Sequence, residues 1–545
     1  MHSKGVKESM GYKRNVGAFA LMMTGLGSII GSGWLFGAWK AANVAGPASV
    51  FAWIIGAIVI MFIGLTFVEL GSMFPEAGGM VRYAQYSHGS LVGYIAGWAN
   101  WIAIVSVIPI EAEASVQYMS SWPWAWAQSL YNGHTLQPLG LFFAAVLVFI
   151  YFLLNYWTVK LFARANTFIT VFKFIVPTLT FIGLIVAGFH AGNFHQHGGF
   201  APFGWSAVLT AVATSGVVFA FNGFQSPINL AGEAKNPARA VPLAVIGSIL
   251  IAGLIYVGLE IAYIGAVPGH SLLHGWNNVV LNSPFADLAL AINLNWLAII
   301  LFADAFVSPS GTGITYTAST ARMVYGMEKN GYFPKVLGRI HPRFGVPRPA
   351  MWLNLLVAYV FLVLFRGWGS MADVISVATI ISYVTGPITV MVLRRTAPNL
   401  HRPSRIQGLQ VIAPLAFMLA SLILYWARWP LTGKVIIIML MGLPIYFYYQ
   451  AKGGFRGFTR HLKAGIWLLV YLGWMALLSS LGSTKFGGHN VIPYGWDMLV
   501  VAASSLIFYF WGVKSGWANE YLQDAETLNR AGFEDAEAVS ERAEA

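Results

Sequence analysis

Thr24-Gly25-Leu26-Gly27-Ser28-Ile29-Ile30-Gly31-Ser32-Gly33-Trp34 lies inside the first long apolar run of this chain. Each of its four glycines weakens a helix by about 1 kcal/mol relative to alanine, so the stretch predicts a helix that stops and restarts. A second stretch, Thr214-Ser215-Gly216-Val217-Val218-Phe219-Ala220-Phe221-Asn222-Gly223-Phe224, followed by Pro227, interrupts the sixth apolar run. Unpaired backbone in hydrocarbon costs several kcal/mol per group, so such breaks survive only where they face protein or a watery cavity.

The rest of the chain supplies the membrane setting. Of its 545 residues 57% are hydrophobic and only 10% charged, against about a quarter charged in soluble domains. Apolar runs near the length of a bilayer crossing recur throughout, about fourteen in all. They fall at 15–39, 47–74, 91–122, 139–156, 165–188, 206–231, 241–267, 284–322, 350–365, 373–394, 409–427, 431–449, 462–481 and 494–512. These are spans one to fourteen below. The expected fold class is an all-α membrane protein.

The net charge of +12 does not point to nucleic acid, because the basic residues are parcelled into short loops between apolar runs. Lys40, Arg366, Arg428, Lys434 and Lys485 fall on one side, Lys173 falls within a span, and the remaining cations fall on the other side. By the positive-inside rule that richer side is cytoplasmic, which places both termini inside. The polar start is read as a retained cytoplasmic tail rather than a signal peptide. The expected organisation is a tail at 1–14, a ten-helix core at 15–395, four accessory spans at 396–513 and an acidic cytoplasmic tail at 514–545. With no cysteine, disulfides, thiolate metal sites and cysteine nucleophiles are excluded.

Broken helices have a chemical use. Half-helix N-termini offer free N–H groups to a carboxylate, and freed carbonyls can hold an ammonium, so a zwitterionic amino acid suits both. Breaks in the first and sixth spans are the placement expected of two five-helix repeats with inverted topology. Close helix packing through small residues is the competing explanation for either break alone, and two matched breaks weigh against it. A dinucleotide loop is excluded, since Ile30 stands where the third glycine is needed and no strand precedes it. No zinc-protease, nucleophile-elbow or Walker pattern occurs, so neither an enzyme nor ATP-driven transport is expected.

Ionisable groups within spans are candidates for function by default. Lys173, Glu111 and Asp304 are the candidates for proton coupling, each also readable as a paired structural charge. Glu113 points to a different side of its helix from Glu111. Asp304 precedes Ser308-Pro309-Ser310-Gly311-Thr312, where Ser310 and Thr312 are candidates to line the pathway. Glu260 is a weaker candidate, and Glu69 is placed close enough to the cytoplasm to be hydrated.

Several segments also resemble one known family. Gly27-Ser28-Ile29-Ile30-Gly31-Ser32-Gly33-Trp34-Leu35-Phe36 resembles the first-helix signature of the amino acid–polyamine–organocation transporters. Glu69 through Gly79, Ala231 through Arg239, Gly331-Tyr332-Phe333-Pro334, and Leu393-Arg394-Arg395 with His401-Arg402-Pro403 are similar to later signatures, in the same order. Ser87-His88-Gly89, Leu154-Asn155-Tyr156-Trp157 and His274-Gly275-Trp276 resemble bacterial aspartate–proton symporters in particular, which also carry spans beyond the usual twelve.

The resemblance implies a 5+5 inverted-repeat, LeuT-like core with discontinuous helices one and six, plus about four extra C-terminal helices. It implies proton-driven uptake of an acidic amino acid such as L-aspartate across a bacterial inner membrane, with no cofactor beyond the coupling proton. An amino acid exchanger, or a permease for neutral or cationic amino acids, is the alternative. Carried over by position, the substrate carboxylate would meet the amides of Gly31, Ser32 and Gly33. The amino group would meet the carbonyls of Ile29, Phe219 and Asn222, with Ile30 and Ala220 completing the two breaks and Phe219 as an aromatic gate. Lys173 would sit beside the first break. Gln225, a further candidate to line the pathway, stands where many members have Glu, so no proton role transfers there. The expected partners are the amino acid and the lipid bilayer, with no nucleic acid; the sequence leaves the oligomeric state open.

Overall fold

The computed structural model describes residues 16–74, 79–157, 159–231, 234–523 and 525, with backbone alone for 159–168. The N-terminal tail at 1–14, most of the acidic tail, and parts of two signatures (75–78 and 232–233) lie outside the described residues. Every regular element among the described residues is helical.

Among the described residues eleven helices are long and apolar enough to cross a membrane, and three shorter apolar helices, Ala18–Ile29, Trp205–Thr214 and Arg348–Leu364, complete the series. Together they fill the positions of all the expected spans. Spans three and ten are 94% buried within the protein, whereas spans four, five and fourteen are 33% buried. The first pair therefore forms the centre, and the others turn residues such as Ile182, Val186 and Ile507 outward, where lipid replaces water as solvent.

Span one consists of Ala18–Ile29 and Gly33–Ala45, separated by an extended Ile30 (φ −80°, ψ 92°). Span six consists of Trp205–Thr214, a turn through Gly216 at φ 77°, the short helix Val217–Ala220, and a second interruption that ends at Gln225–Asn229. Both predicted breaks are present. Span seven, Pro237–Ala266, packs along span two, Ser49–Met73, and along the first half of span one.

Two expectations need correction. Span eight begins at Asn295 rather than residue 284 and runs to Lys329. Pro284–Ala291 is a separate helix, and Asn293 at φ 61° reverses the chain between them. Asparagine tolerates that left-handed conformation, so an apolar pattern without glycine gave no warning of the turn. Glu69 is not hydrated. It is fully buried and accepts hydrogen bonds from Arg394 Nε at 2.8 Å and Nη2 at 2.6 Å and from the Ile406 N–H at 3.1 Å, with Arg402 Nε in an ion pair at 3.5 Å. Beyond span fourteen, Trp496–Ser515, the described residues continue along the protein. Trp517 donates its N–H to Ser87 O, and Asn519 Nδ2 donates to Gln85 O and Tyr86 O, which docks this segment on a helix at Met80–His88.

Candidate functional site

The two breaks touch. A Cβ on Gly223, whose φ is +120°, would lie 2.5 Å from Ser28 C and 2.6 Å from Ile29 N. Only glycine permits both that dihedral and that approach of two main chains. Gly33 meets Ala220 in the same manner, with 2.8 Å from its would-be Cβ to Ala220 Cβ.

Between the breaks lies a cavity of about 180 Å³, lined by Ser28, Ile29, Gly31, Gly33, Val107, Glu111, Phe219, Asn222, Thr312 and Tyr316. Tyr316 also lines a second cavity of about 290 Å³, with Asn100, Gln225, Ser226, Asn229 and Ser319. Phe219 packs edge-on against Trp368 with ring centroids 5.8 Å apart, and Trp368 Nε1 donates to Ser32 Oγ at 2.9 Å. An aromatic lid thus closes one side of the smaller cavity.

Of the three expected amide donors, those of Gly31 and Ser32 are already engaged. Ser32 N–H, at the N-terminus of helix Gly33–Ala45, donates to Glu111 Oε2 at 2.7 Å. Gly31 N–H donates to Ile29 O at 3.0 Å, and Ile30 N–H to Leu26 O at 2.9 Å. Glu111 therefore occupies, with its own carboxylate, the anion position that the helix end creates. The freed carbonyls are engaged too. Tyr256 Oη, on span seven, lies 2.9 Å from Ala220 O and 3.2 Å from Ile29 O, bridging the two breaks. Lys173 Nζ donates to Gly27 O at 2.8 Å and to Thr312 Oγ1 at 2.5 Å, and Thr312 Oγ1 lies 3.4 Å from Ile30 O. Glu111 and Asp304 are the two acids whose charge Lys173 feels.

The remaining candidates divide by location. Asn222 Nδ2 donates to Thr379 Oγ1 at 3.2 Å, and Tyr383 Oη donates to Gln225 Oε1 at 2.9 Å. Asp304 Oδ1 accepts from Ser308 Oγ at 2.7 Å. Ser310 turns toward span four, where its hydroxyl meets Tyr151 Oη at 3.0 Å, and it does not line either cavity. Glu113 is buried away from Glu111 with neither oxygen hydrogen-bonded among the described residues. Sequence reasoning missed Tyr256, Tyr316, Trp368 and Tyr383. Residue type could not single them out in a chain with 21 Trp and 23 Tyr.

Two interrupted helices that meet around a cavity are the scaffold of a secondary transporter. The amino acid permease family model matches residues 16–453. The chain belongs to that family, as its resemblance to the amino acid–polyamine–organocation transporters implied. It is 64% identical over 519 residues, 95% of this chain and 96% of the relative, to the glutamate/serine transporter AimA of Bacillus subtilis. It is 36% identical to the aspartate-proton symporter of Bacillus subtilis, covering 93% and 97% of the two chains. The branched-chain amino acid permease BcaP of the same organism is 26% identical over 81% of this chain and 94% of its own. The protein is thus a multi-pass membrane transporter of amino acids, not an enzyme.

Proposed function

We propose that this protein takes up an acidic amino acid together with a proton, by alternating access around the two breaks. Aspartate and glutamate are the leading solutes, and serine is the first neutral competitor to examine. The names of the two more similar relatives support that choice. The basic loops support an orientation with both termini in the cytoplasm of a bacterium.

The observation that carries the reading is the bond from Ser32 N–H to Glu111. A substrate carboxylate can take that amide only after Glu111 yields it. Glu111 yields it by taking a proton, because two ionised carboxylates cannot share one helix end. Substrate and proton would then enter as a pair and leave as a pair. Lys173, fixed between Gly27 O and Thr312, holds a positive charge near the vacated position. Asn222, Thr312 and Tyr316 offer the side-chain carboxylate hydrogen bonds, since no arginine lines either cavity.

Uptake of labelled aspartate and glutamate into proteoliposomes, with and without an inward proton gradient, tests the proposal. Accumulation above equilibrium that collapses when the gradient is dissipated is the expected result. Uptake that ignores the gradient but needs amino acid inside the vesicle would make the protein an exchanger instead.

A further inference from the structure

Glu260, on span seven, is fully buried, and no ion pair among the described residues reaches it. Trp53 Nε1 donates to its Oε2 at 2.8 Å, and its Oε1 is hydrogen-bonded to Ser49 Oγ. The same Ser49 Oγ lies 2.6 Å from the carbonyl oxygen of Gly46, in the turn between spans one and two. Tyr263, on the same helix, is the titratable neighbour.

Counting protons decides the charge. A serine hydroxyl carries one hydrogen. Were Glu260 ionised, Ser49 would have to donate to it, and the Gly46 carbonyl would face a bare oxygen at 2.6 Å. With a neutral carboxyl, Glu260 donates to Ser49, Ser49 donates to Gly46 O, and Trp53 donates to the second carboxyl oxygen. Every contact then has its hydrogen. An unpaired carboxylate buried at this depth would also lack any compensating charge.

The acid is linked to the transport site by short steps. The Trp53 ring lies 4.9 Å from the Tyr256 ring, and Tyr256 Oη bridges Ile29 O and Ala220 O. Glu260 and Tyr256 are four residues apart, on one face of span seven. Spans two and seven, which carry all three side chains, pack against each other along their length.

We propose that Glu260 is a permanently protonated acid, not a carrier of the transported proton, and that it positions Tyr256 over the two broken helices by holding Trp53 and the Gly46–Ser49 turn. The positioning role rests on the cavity between the breaks being the substrate site; the protonation does not.

Two measurements separate these parts. Infrared spectra of the purified protein in lipid should show the carbonyl stretch of a protonated carboxylic acid, unchanged between about pH 5 and 9 and absent in Glu260→Gln. In uptake assays Glu260→Ala should raise KM about tenfold, while Glu260→Gln, which can donate to Ser49 and accept from Trp53, should recover KM to within about twofold with gradient-driven accumulation intact. If the band lost in Glu260→Gln titrates in this range in the wild type, or if no band is lost in Glu260→Gln, the protonation is overturned. Glu260→Gln as impaired as Glu260→Ala, or able to exchange but not accumulate, overturns the fixed-proton role. Should Glu260→Ala not survive purification, the infrared comparison with Glu260→Gln decides the protonation, and Trp53→Phe, which removes the donor to Glu260, decides the positioning: an unchanged KM overturns it.

Discussion

Glu111 Oε2 accepts the main-chain N–H of Ser32 at 2.7 Å, across 79 residues of sequence. A side chain of span three thereby completes the helix end that the break in span one leaves open. A proton-coupled mechanism makes Glu111→Gln informative. A glutamine cannot ionise, so the exclusion of substrate by charge disappears. Exchange of external for internal amino acid should persist, while accumulation driven by a proton gradient should fall about tenfold or more. Counterflow and gradient-driven uptake, measured on the same vesicles, check this.

Tyr256→Phe keeps the ring between Trp53 and Phe221 and deletes only the hydroxyl that spans Ile29 O and Ala220 O. Loss of one such bond is worth about 0.5–1.5 kcal/mol, or roughly a 2- to 12-fold change in affinity. KM should rise within that range with maximal rate changed less. Equal loss in both parameters would instead place the hydroxyl in the conformational step.

Lys173→Met removes the cation and retains most of the apolar stem. Gly27 O and Thr312 Oγ1 lose their donor, and Glu111 loses the positive charge of Lys173. An unsatisfied buried group costs about 1–3 kcal/mol, so the thermal midpoint in detergent should fall. Uptake should drop below a tenth of wild type. Lys173→Arg should not rescue it, because the planar fork cannot reproduce a compact ammonium between these two oxygens.

Gly223→Ala demands both a left-handed backbone and a Cβ only 2.5 Å from Ser28 C. Substitutions at such positions cost about 1–3 kcal/mol in backbone strain before the clash is counted. Transport should be lost with a lowered thermal midpoint. Gly473→Ala, where nothing lies within 4 Å of the added methyl, should behave as wild type.

Arg394→Lys tests the buried pair with Glu69. The bidentate contact at 2.8 and 2.6 Å needs a guanidinium. Lysine should recover only part of the stability lost in Arg394→Ala, measured by thermal unfolding, and transport should follow the stability ranking.

Much of this was legible before folding. Apolar length set the number of crossings, because a bilayer imposes a fixed thickness on every helix. Glycine density located the breaks at Gly31 and Gly216 to within a few residues, because helix propensity is a local property. The family was legible from signatures such as Gly27 through Phe36. The partners of those breaks were not. Glu111 is drawn to Ser32, Tyr256 to Ala220 and Ile29, and Arg394 to Glu69 across dozens to hundreds of residues, and only helix packing determines which side chains face each other. The hydration expected for Glu69 failed for the same reason, since burial depends on the loop at Arg402–Ile406 folding back over span two. The turn at Asn293 was hidden because asparagine adopts either helical hand without a compositional mark.

The sequence by itself thus determined the helices and their interruptions, which follow from local propensity and hydrophobic length, while the class of solute carrier was legible through the resemblance of its signatures to one family. Tertiary structure alone decided which acid occupies the open helix end and which tyrosine spans the two breaks. A hydrogen bond in low dielectric is set by geometry to within a few tenths of an ångström, and no pattern along the chain encodes that distance.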